Sequence, residues 1–186
     1  RDFSEYKNWY SINHKAKNLI NKSIYSIPEF TKNTIKKFKN IANPGCYPTS
    51  IQLVLLPLLQ KSLLKTKNIT IDAKSGYSGA GKNYHLKFLH KNFYTSVFAY
   101  GIKKHRHMSE LDQEFKKYSK TKIEYTFNPH LVPVFRGILS SMYLETKKGI
   151  SIRKIHLILK KFHSKNIFVN LKKINSPIGN GNVLNT

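Results

Sequence analysis

The stretch Asn43-Pro44-Gly45-Cys46-Tyr47-Pro48-Thr49-Ser50, running directly into Ile51-Gln52-Leu53-Val54-Leu55-Leu56-Pro57-Leu58-Leu59, orders the rest of the chain. Its prolines and glycine force a turn. Thr49 or Ser50 is then placed to cap the next element. Residues 51–64 are apolar on most sides, which predicts a buried helix with an irregularity at Pro57. Cys46 is the only cysteine, so an internal disulfide and a thiolate metal cluster are both excluded. An isolated cysteine is either a small buried hydrophobe or a reactive thiol. At the start of a helix, amide N–H groups lower a thiol's pKa and can hold a developing oxyanion. Gly45 lets backbone and substrate approach closely. This context favours a nucleophile.

Downstream, Asn68 to Ala73 alternates as a strand, with Ile69 and Ile71 on one face and Thr70 and Asp72 on the other. Ser75 to Gly81 is a loop of small residues. Val97 to Gly101 reads as a short strand, and Ser109 to Tyr118 as a helix with Ser109 as N-cap. Ile123, Tyr125 and Phe127 alternate, and a turn is expected at Asn128-Pro129. A strand from Ile138 to Leu144 has Ile138, Ser140, Met142 and Leu144 on one face. Ile155, Leu159 and Phe162 mark an amphipathic helix over Ser151 to His163, and Ile167 to Leu171 reads as a last strand. Upstream, residues 1–40 are polar and Lys-rich, with weak helical stretches at Lys15 to Ile20 and Thr31 to Phe38. The pattern predicts an α+β domain: a mixed, largely antiparallel sheet with helices packed on one face. The expected division is a partial lead-in over 1–40, a catalytic and dimerisation domain over 41–180 and a truncated tail over 181–186.

With 186 residues, 40% of them hydrophobic, the chain can bury a sizeable core. Its formal net charge of +24 suggests an anionic partner such as nucleic acid. The excess is almost all Lys, scattered along the chain, and the arginines are only Arg1, Arg106, Arg136 and Arg153. Specific nucleic-acid contacts rely on Arg forks. Abundant Lys, Asn, Ile, Tyr and Phe is what an AT-rich genome writes into any protein, so no specific nucleic-acid partner is expected. The run Ile51 to Leu59 is broken by Gln52 and Pro57 and is too short to span a bilayer. A cytoplasmic protein without a membrane partner is expected.

A thiolate needs a general acid/base, and His105-Arg106-His107 supplies candidates, His105 first. A His pair also suggests zinc, but the nearest other histidines are His85 and His90 and no cysteine is near, so no metal is expected. The Ser75–Gly81 loop is either a plain turn or a cradle whose backbone N–H groups meet a phosphate or a nicotinamide amide. It lacks the P-loop ending, because Gly81-Lys82 is followed by Asn83. Arg136 binds a carboxylate or phosphate in one reading and makes a structural ion pair in the other.

Together these segments resemble the N-acetyl-gamma-glutamyl-phosphate reductase family. The family's Asn-Pro-Gly-Cys-Tyr-Pro-Thr string stands at Asn43 to Thr49, and its Asp-Ala-Lys-Ser-Gly-x-Ser-Gly-Ala-Gly segment at Asp72 to Gly81. Ala99-Tyr100 is followed by His105-Arg106-His107 and Glu110. Pro129-His130-Leu131-Val132-Pro133 and Arg136-Gly137-Ile138-Leu139 match later family segments. Lys82 stands where the family usually has Arg, and Met108-Ser109 where it has Thr-Pro. The family's Gly-x-x-Gly-x-x-Gly Rossmann loop and closing helix have no counterpart in this sequence, so a fragment of a larger enzyme is expected.

The resemblance implies a fold like the C-terminal domain of glyceraldehyde-3-phosphate dehydrogenase. It implies NADPH-dependent reduction of N-acetyl-glutamyl phosphate to the semialdehyde, in arginine biosynthesis, by a homodimer or homotetramer. By the same resemblance Cys46 is the nucleophile and His105 moves the proton. Asn43, Glu110, Arg106 and Arg136 are the substrate-binding or orienting candidates. Ser78, Gly79, Ala80 and Gly81 lie by the nicotinamide. A related aminoadipyl-phosphate reductase of lysine biosynthesis, and a basic nucleic-acid-binding domain, are the alternative readings.

Overall fold

The computed structural model of the chain describes residues 3–82 and 95–184. Its lead-in has more order than the sequence pattern suggests. Helices α1 (Phe3–Tyr10) and α2 (Lys17–Ile20) precede strand β1 (Ser23–Tyr25), the short helix α3 (Pro28–Thr31) and strand β2 (Asn40–Ala42). A 3-10 turn at Ile35–Lys37 takes part of the stretch expected to be helical. The strands β1 and β2 pair in parallel, Ser23 with Asn40 through Tyr25 with Ala42. Three residues per strand are too few for alternation to register.

Helix α4 (Cys46–Gln60) begins after a three-residue turn from β2, earlier than expected. Its N-cap is Gly45, in an extended conformation. Thr49 and Ser50 are not caps: their hydroxyls donate back to the Gly45 and Tyr47 carbonyls, both at 2.9 Å. Pro48 sits in the first turn, where a helix has no use for its N–H. Tyr47, Ile51, Leu55, Leu56, Leu58 and Leu59 from this helix form the centre of the core.

Pro57 lies inside α4 and cannot donate to the carbonyl of Leu53. That carbonyl is instead met by Nε2 of His163 at 2.8 Å. A carbonyl only accepts, so Nε2 carries the proton, and Nδ1 accepts from Asn166 Nδ2 at 3.0 Å. His163 is 6% exposed and is the last residue of the amphipathic helix that starts at Ile152.

The main sheet contains β3 (Ile69–Ser75), β4 (Phe98–Ala99), β5 (Tyr125–Leu131) and β6 (Ile138–Tyr143), in the order β4-β5-β3-β6. Strand β3 is antiparallel to β6 but parallel to β5, and β4 is antiparallel to β5. The mixed sheet is as expected. Short returns favouring antiparallel pairing do not hold between β3 and β5, because helix α5 (His107–Tyr118) fills the connection and provides the crossover parallel strands need. Ile69, Ile71 and Ala73 turn towards the helices with Phe127, Ile138 and Met142, while Thr70, Asp72 and Lys74 turn to the opposite face.

Three local expectations are corrected. Ser109 lies inside α5, with its hydroxyl donating to the Arg106 carbonyl, and Arg106 is the N-cap. Asn128-Pro129 is not a turn but part of β5. The Pro129 carbonyl accepts from Tyr100 N at 3.1 Å. Since N–H and C=O of one strand residue point the same way, its missing donor falls beside the two-residue β4 and spares the β3 ladder. Residues 167–171 form no strand: the backbone turns at Val169 N→Asn166 O, and Ile167 and Phe168 stand 89% and 88% exposed. Helix α6 (Ile152–His163) does match, with Ser151 as N-cap accepting from Lys154 N at 3.2 Å. It packs Ile155, Ile158 and Leu159 against the core.

Replacing His163 by Phe leaves the Leu53 carbonyl buried without a donor and is expected to cost about 2 kcal/mol. In a Pro57→Ala background, where residue 57 regains its N–H, the same change is expected to cost less than about 1 kcal/mol. Denaturant unfolding of the four chains of this double-mutant cycle measures the difference.

Candidate active site

Cys46 is the first residue of α4 and is exposed. Loss of water around its sulfur is the largest influence on the thiol and raises its pKa. Backbone N–H groups of Tyr47 and Cys46 itself pull the other way, Glu110 raises it further, and Arg106 lowers it. The amide effect expected from the helix start is therefore present but outweighed. A thiol held in this state reacts as thiolate only if a neighbour takes its proton.

Two neutral imidazoles share its surroundings. The His105 and His107 rings lie 4.6 Å apart, centre to centre. Both meet the ring of Tyr47 edge-on, at 5.8 and 5.9 Å. Burial, and then the charge of Arg106, lower the His105 pKa. Burial, His105 and Arg106 push His107 down to about 4. His107 packs against the turn before Cys46: a Cβ added at Gly45 would lie 2.4 Å from its Nε2. Gly45 is therefore required for close approach, though what approaches is a side chain of the protein. The His107 Nδ1 is buried and has no hydrogen-bond partner among the described residues. Sequence reasoning put His105 first and gave His107 no role of its own; a spacing of two between them is the only sequence signal that the two rings meet.

Glu110, one turn into α5, faces the same point. Its Oε2 accepts from Gly45 N at 2.9 Å and from the Tyr25 hydroxyl at 2.8 Å. Tyr25 in turn accepts from Gln52 Nε2 at 2.9 Å. Oε1 lies 4.0 Å from His107 Nε2, which is no ion pair while that ring is neutral. Sequence reasoning missed Tyr25 and Gln52, and nothing in their local pattern distinguishes them. Asn43 is exposed and lines a cleft of about 250 Å³ with Tyr25, Glu110, Gln113 and Glu114. A larger hollow of about 1290 Å³ at the other end of α5 is lined by none of the candidate residues.

The remaining candidates form a second group. Residues 77–80 make a 3-10 turn that docks on the segment entering β6. Gly76, Tyr77 and Ser78 donate their N–H groups to the carbonyls of Gly137, Val134 and Phe135, at 2.9, 3.0 and 2.9 Å. Gly79 and Gly81 donate to Gly76 and Ser78, at 3.3 and 3.2 Å. These amides are occupied within the chain, so a cradle of free N–H groups is not what this loop offers. What it offers is Gly81, where φ is +89° and an added Cβ would meet nothing within 4 Å among the described residues. Ser75, at the head of the loop, donates its hydroxyl to the Gly76 carbonyl at 2.9 Å, and its side chain acts on the Tyr47 phenol, so the loop borders the cysteine region. Arg136 is exposed, and its guanidinium lies over the Phe135 ring at 5.1 Å, without a carboxylate partner among the described residues. The structural ion pair considered for it is absent there. His85 and His90 lie outside the described residues, and among those described no group of three or more His, Cys, Asp or Glu could hold a metal. No helix among them is long and apolar enough to cross a membrane.

Residues 46–186 match the family model described as semialdehyde dehydrogenase, dimerisation domain. The chain belongs to this family. Proteins named N-acetyl-gamma-glutamyl-phosphate reductase stand among the relatives of this dimerisation domain. One from Arabidopsis thaliana, named probable and chloroplastic, is 40% identical over 91% of the chain and 42% of its own length. One from Afipia carboxidovorans is 41% identical over 91% of the chain and 48% of its own length. The chain thus spans somewhat less than half the length of these relatives. The crystal structure of aspartate semialdehyde dehydrogenase II from Vibrio cholerae shares the fold, with a TM-score of 0.58 at 17% identity over 76% of the chain and 49% of that structure.

Two outcomes are expected. Gly45→Ala displaces the His107 ring and slows alkylation of Cys46 by about tenfold, measured by mass spectrometry of the labelled peptide. The second concerns pH. The unfolded chain protonates His107 near its ordinary value of 6.5, whereas the folded chain resists protonation down to about 4. Across that window the unfolded state binds more protons, so stability falls as pH falls. His107→Gln is expected to flatten this part of the pH dependence of the denaturant midpoint.

Proposed function

We propose that this chain carries the covalent chemistry of an NADPH-dependent reductase that converts N-acetyl-glutamyl phosphate to N-acetyl-glutamate semialdehyde in arginine biosynthesis. The observation that supports it most is the placement of the only thiol at a helix start, beside two imidazoles kept neutral by burial. The names of the relatives supply the substrate.

In this reading His105 accepts the Cys46 proton. The sulfur then attacks the acyl carbon, the carbon–oxygen bond to phosphate breaks, and phosphate leaves with its electron pair. A thioester on Cys46 remains. The N–H groups of Cys46 and Tyr47, which already act on the thiol, would meet the oxygen that gathers charge as the carbon becomes tetrahedral. When bound, NADPH supplies the hydride that reduces this thioester. The protonated His105 returns its proton as the tetrahedral carbon collapses, the carbon–sulfur bond breaks, and the aldehyde leaves. A nearly uncharged imidazole pair suits both duties, because it can take a proton and gives it back readily.

The loop residues Ser78, Gly79, Ala80 and Gly81 would meet the nicotinamide end through the backbone at Gly81, which no other described residue covers. Arg106 and Arg136 are exposed cations available to the anionic substrate, and Asn43 lines the cleft beside Glu110. The Lys-rich surface favours encounter with anions in general. Self-association as dimer or tetramer in the cytoplasm completes the proposal, with the family's dimerisation role as its support.

Cys46→Ser is expected to lower phosphate-dependent reduction of NADP by the semialdehyde about a thousandfold or more. Activity within about twofold of the parent would remove Cys46 from the mechanism. Comparing rates with the aminoadipate-derived semialdehyde tests the lysine-pathway alternative: a higher kcat/KM for that substrate would transfer the assignment.

A further inference from the structure

We propose that Tyr25 is a positioning residue for Cys46: by holding the Glu110 carboxylate that binds the Gly45 amide, it sets where the thiol stands and how fast it reacts. The inference rests on the reading of Cys46 as nucleophile and adds a residue from the lead-in, far from the motifs that carry the resemblance.

The geometry is a closed ring of three elements. Gln52 of α4 donates to the Tyr25 hydroxyl of β1 at 2.9 Å. That hydroxyl donates to Glu110 Oε2 of α5 at 2.8 Å. The same oxygen receives the Gly45 N–H at 2.9 Å, returning the ring to the start of α4. Gln52 is 1% exposed, so its amide has little access to water as a substitute. The phenol accepts from one side and donates to the other, which points its proton at Glu110. Tyr25 also pairs with Ala42, three residues before Gly45, so β1 reaches the cysteine turn by two routes.

Such a ring has an electrostatic consequence. Glu110 opposes ionisation of Cys46, and the donors on Oε2 draw its charge away from the thiol. The groups that face this point are Tyr25 from β1, the Gly45 amide and Gln52 from α4, and His107 and Arg106 at the head of α5. Glu114 acts on Tyr25 from one turn further along α5, and Tyr47 and Tyr100 flank the thiol. Burial and then Glu110 raise the Tyr25 pKa, so the phenol keeps its proton and remains a donor.

The test is the rate of Cys46 alkylation by iodoacetamide as a function of pH, in the whole chain. It needs neither substrate nor cofactor, and so is independent of the turnover loss expected of Cys46→Ser. Glu110→Gln keeps an acceptor for Gly45 and Tyr25 but removes the charge. It is expected to speed alkylation about threefold below the thiol's midpoint. Tyr25→Phe keeps the ring but frees the carboxylate charge, and is expected to slow alkylation about threefold. Gln52→Leu removes the donor behind Tyr25 and should shift the rate in the same direction as Tyr25→Phe. Opposite displacements for Glu110→Gln and Tyr25→Phe support the proposal, since a purely structural loss would move both the same way. Profiles that superimpose on the parent, or that both move in one direction, overturn it.

Discussion

The hydrogen bond from the Gly45 amide to the Glu110 carboxylate is the contact around which the molecule is arranged. It joins the start of the most buried helix to the first turn of α5, the helix that crosses from β3 to β5. Because α5 is the crossover, its position fixes the parallel pairing of those strands. Because α4 lies under the same sheet, its apolar face fixes which side of the strands is core. The cysteine turn is thus held between a carboxylate on one side and the His107 ring on the other. Glycine is the only residue type that fits between them at position 45, given the space its missing side chain leaves.

This arrangement also governs the chemistry open to Cys46. The pull of helix amides on the thiol is real but smaller than the effect of lost water. The thiol is therefore held protonated in the folded chain, and the proposed role of Cys46 requires a neighbour to take its proton. Burial lowers the pKa of both nearby imidazoles and so leaves them neutral.

The sequence made legible those features that are local and strongly patterned. Helix α4, the alternation of β3, the inward face of β6 and the amphipathic stripe of α6 were all readable, because each depends on neighbouring residues. Cys46 and the His105–His107 string could be named from sequence as candidates, and the structure brings both rings against Tyr47, the residue after Cys46. Features that depend on partners distant in sequence were not readable. Parallel pairing of β3 with β5 depends on where α5 packs. Residues 167–171 are apolar enough to read as a strand but pair with no strand among the described residues. Pro129 reads as a turn unless one knows that its missing donor falls beside a two-residue strand. Tyr25 and Gln52 belong to a ring closed across 85 and 27 residues, respectively, and no local pattern announces it.

The bond from His163 to the Leu53 carbonyl joins residues 110 positions apart. During synthesis, α4 emerges from the ribosome with a gap at Pro57 that nothing near it can close. Its last turns stay incomplete until the end of α6 has been made. The helix that starts at Cys46 therefore gains its missing donor only after β3, β5 and β6 have been made, since all three lie between residues 53 and 163 of the chain.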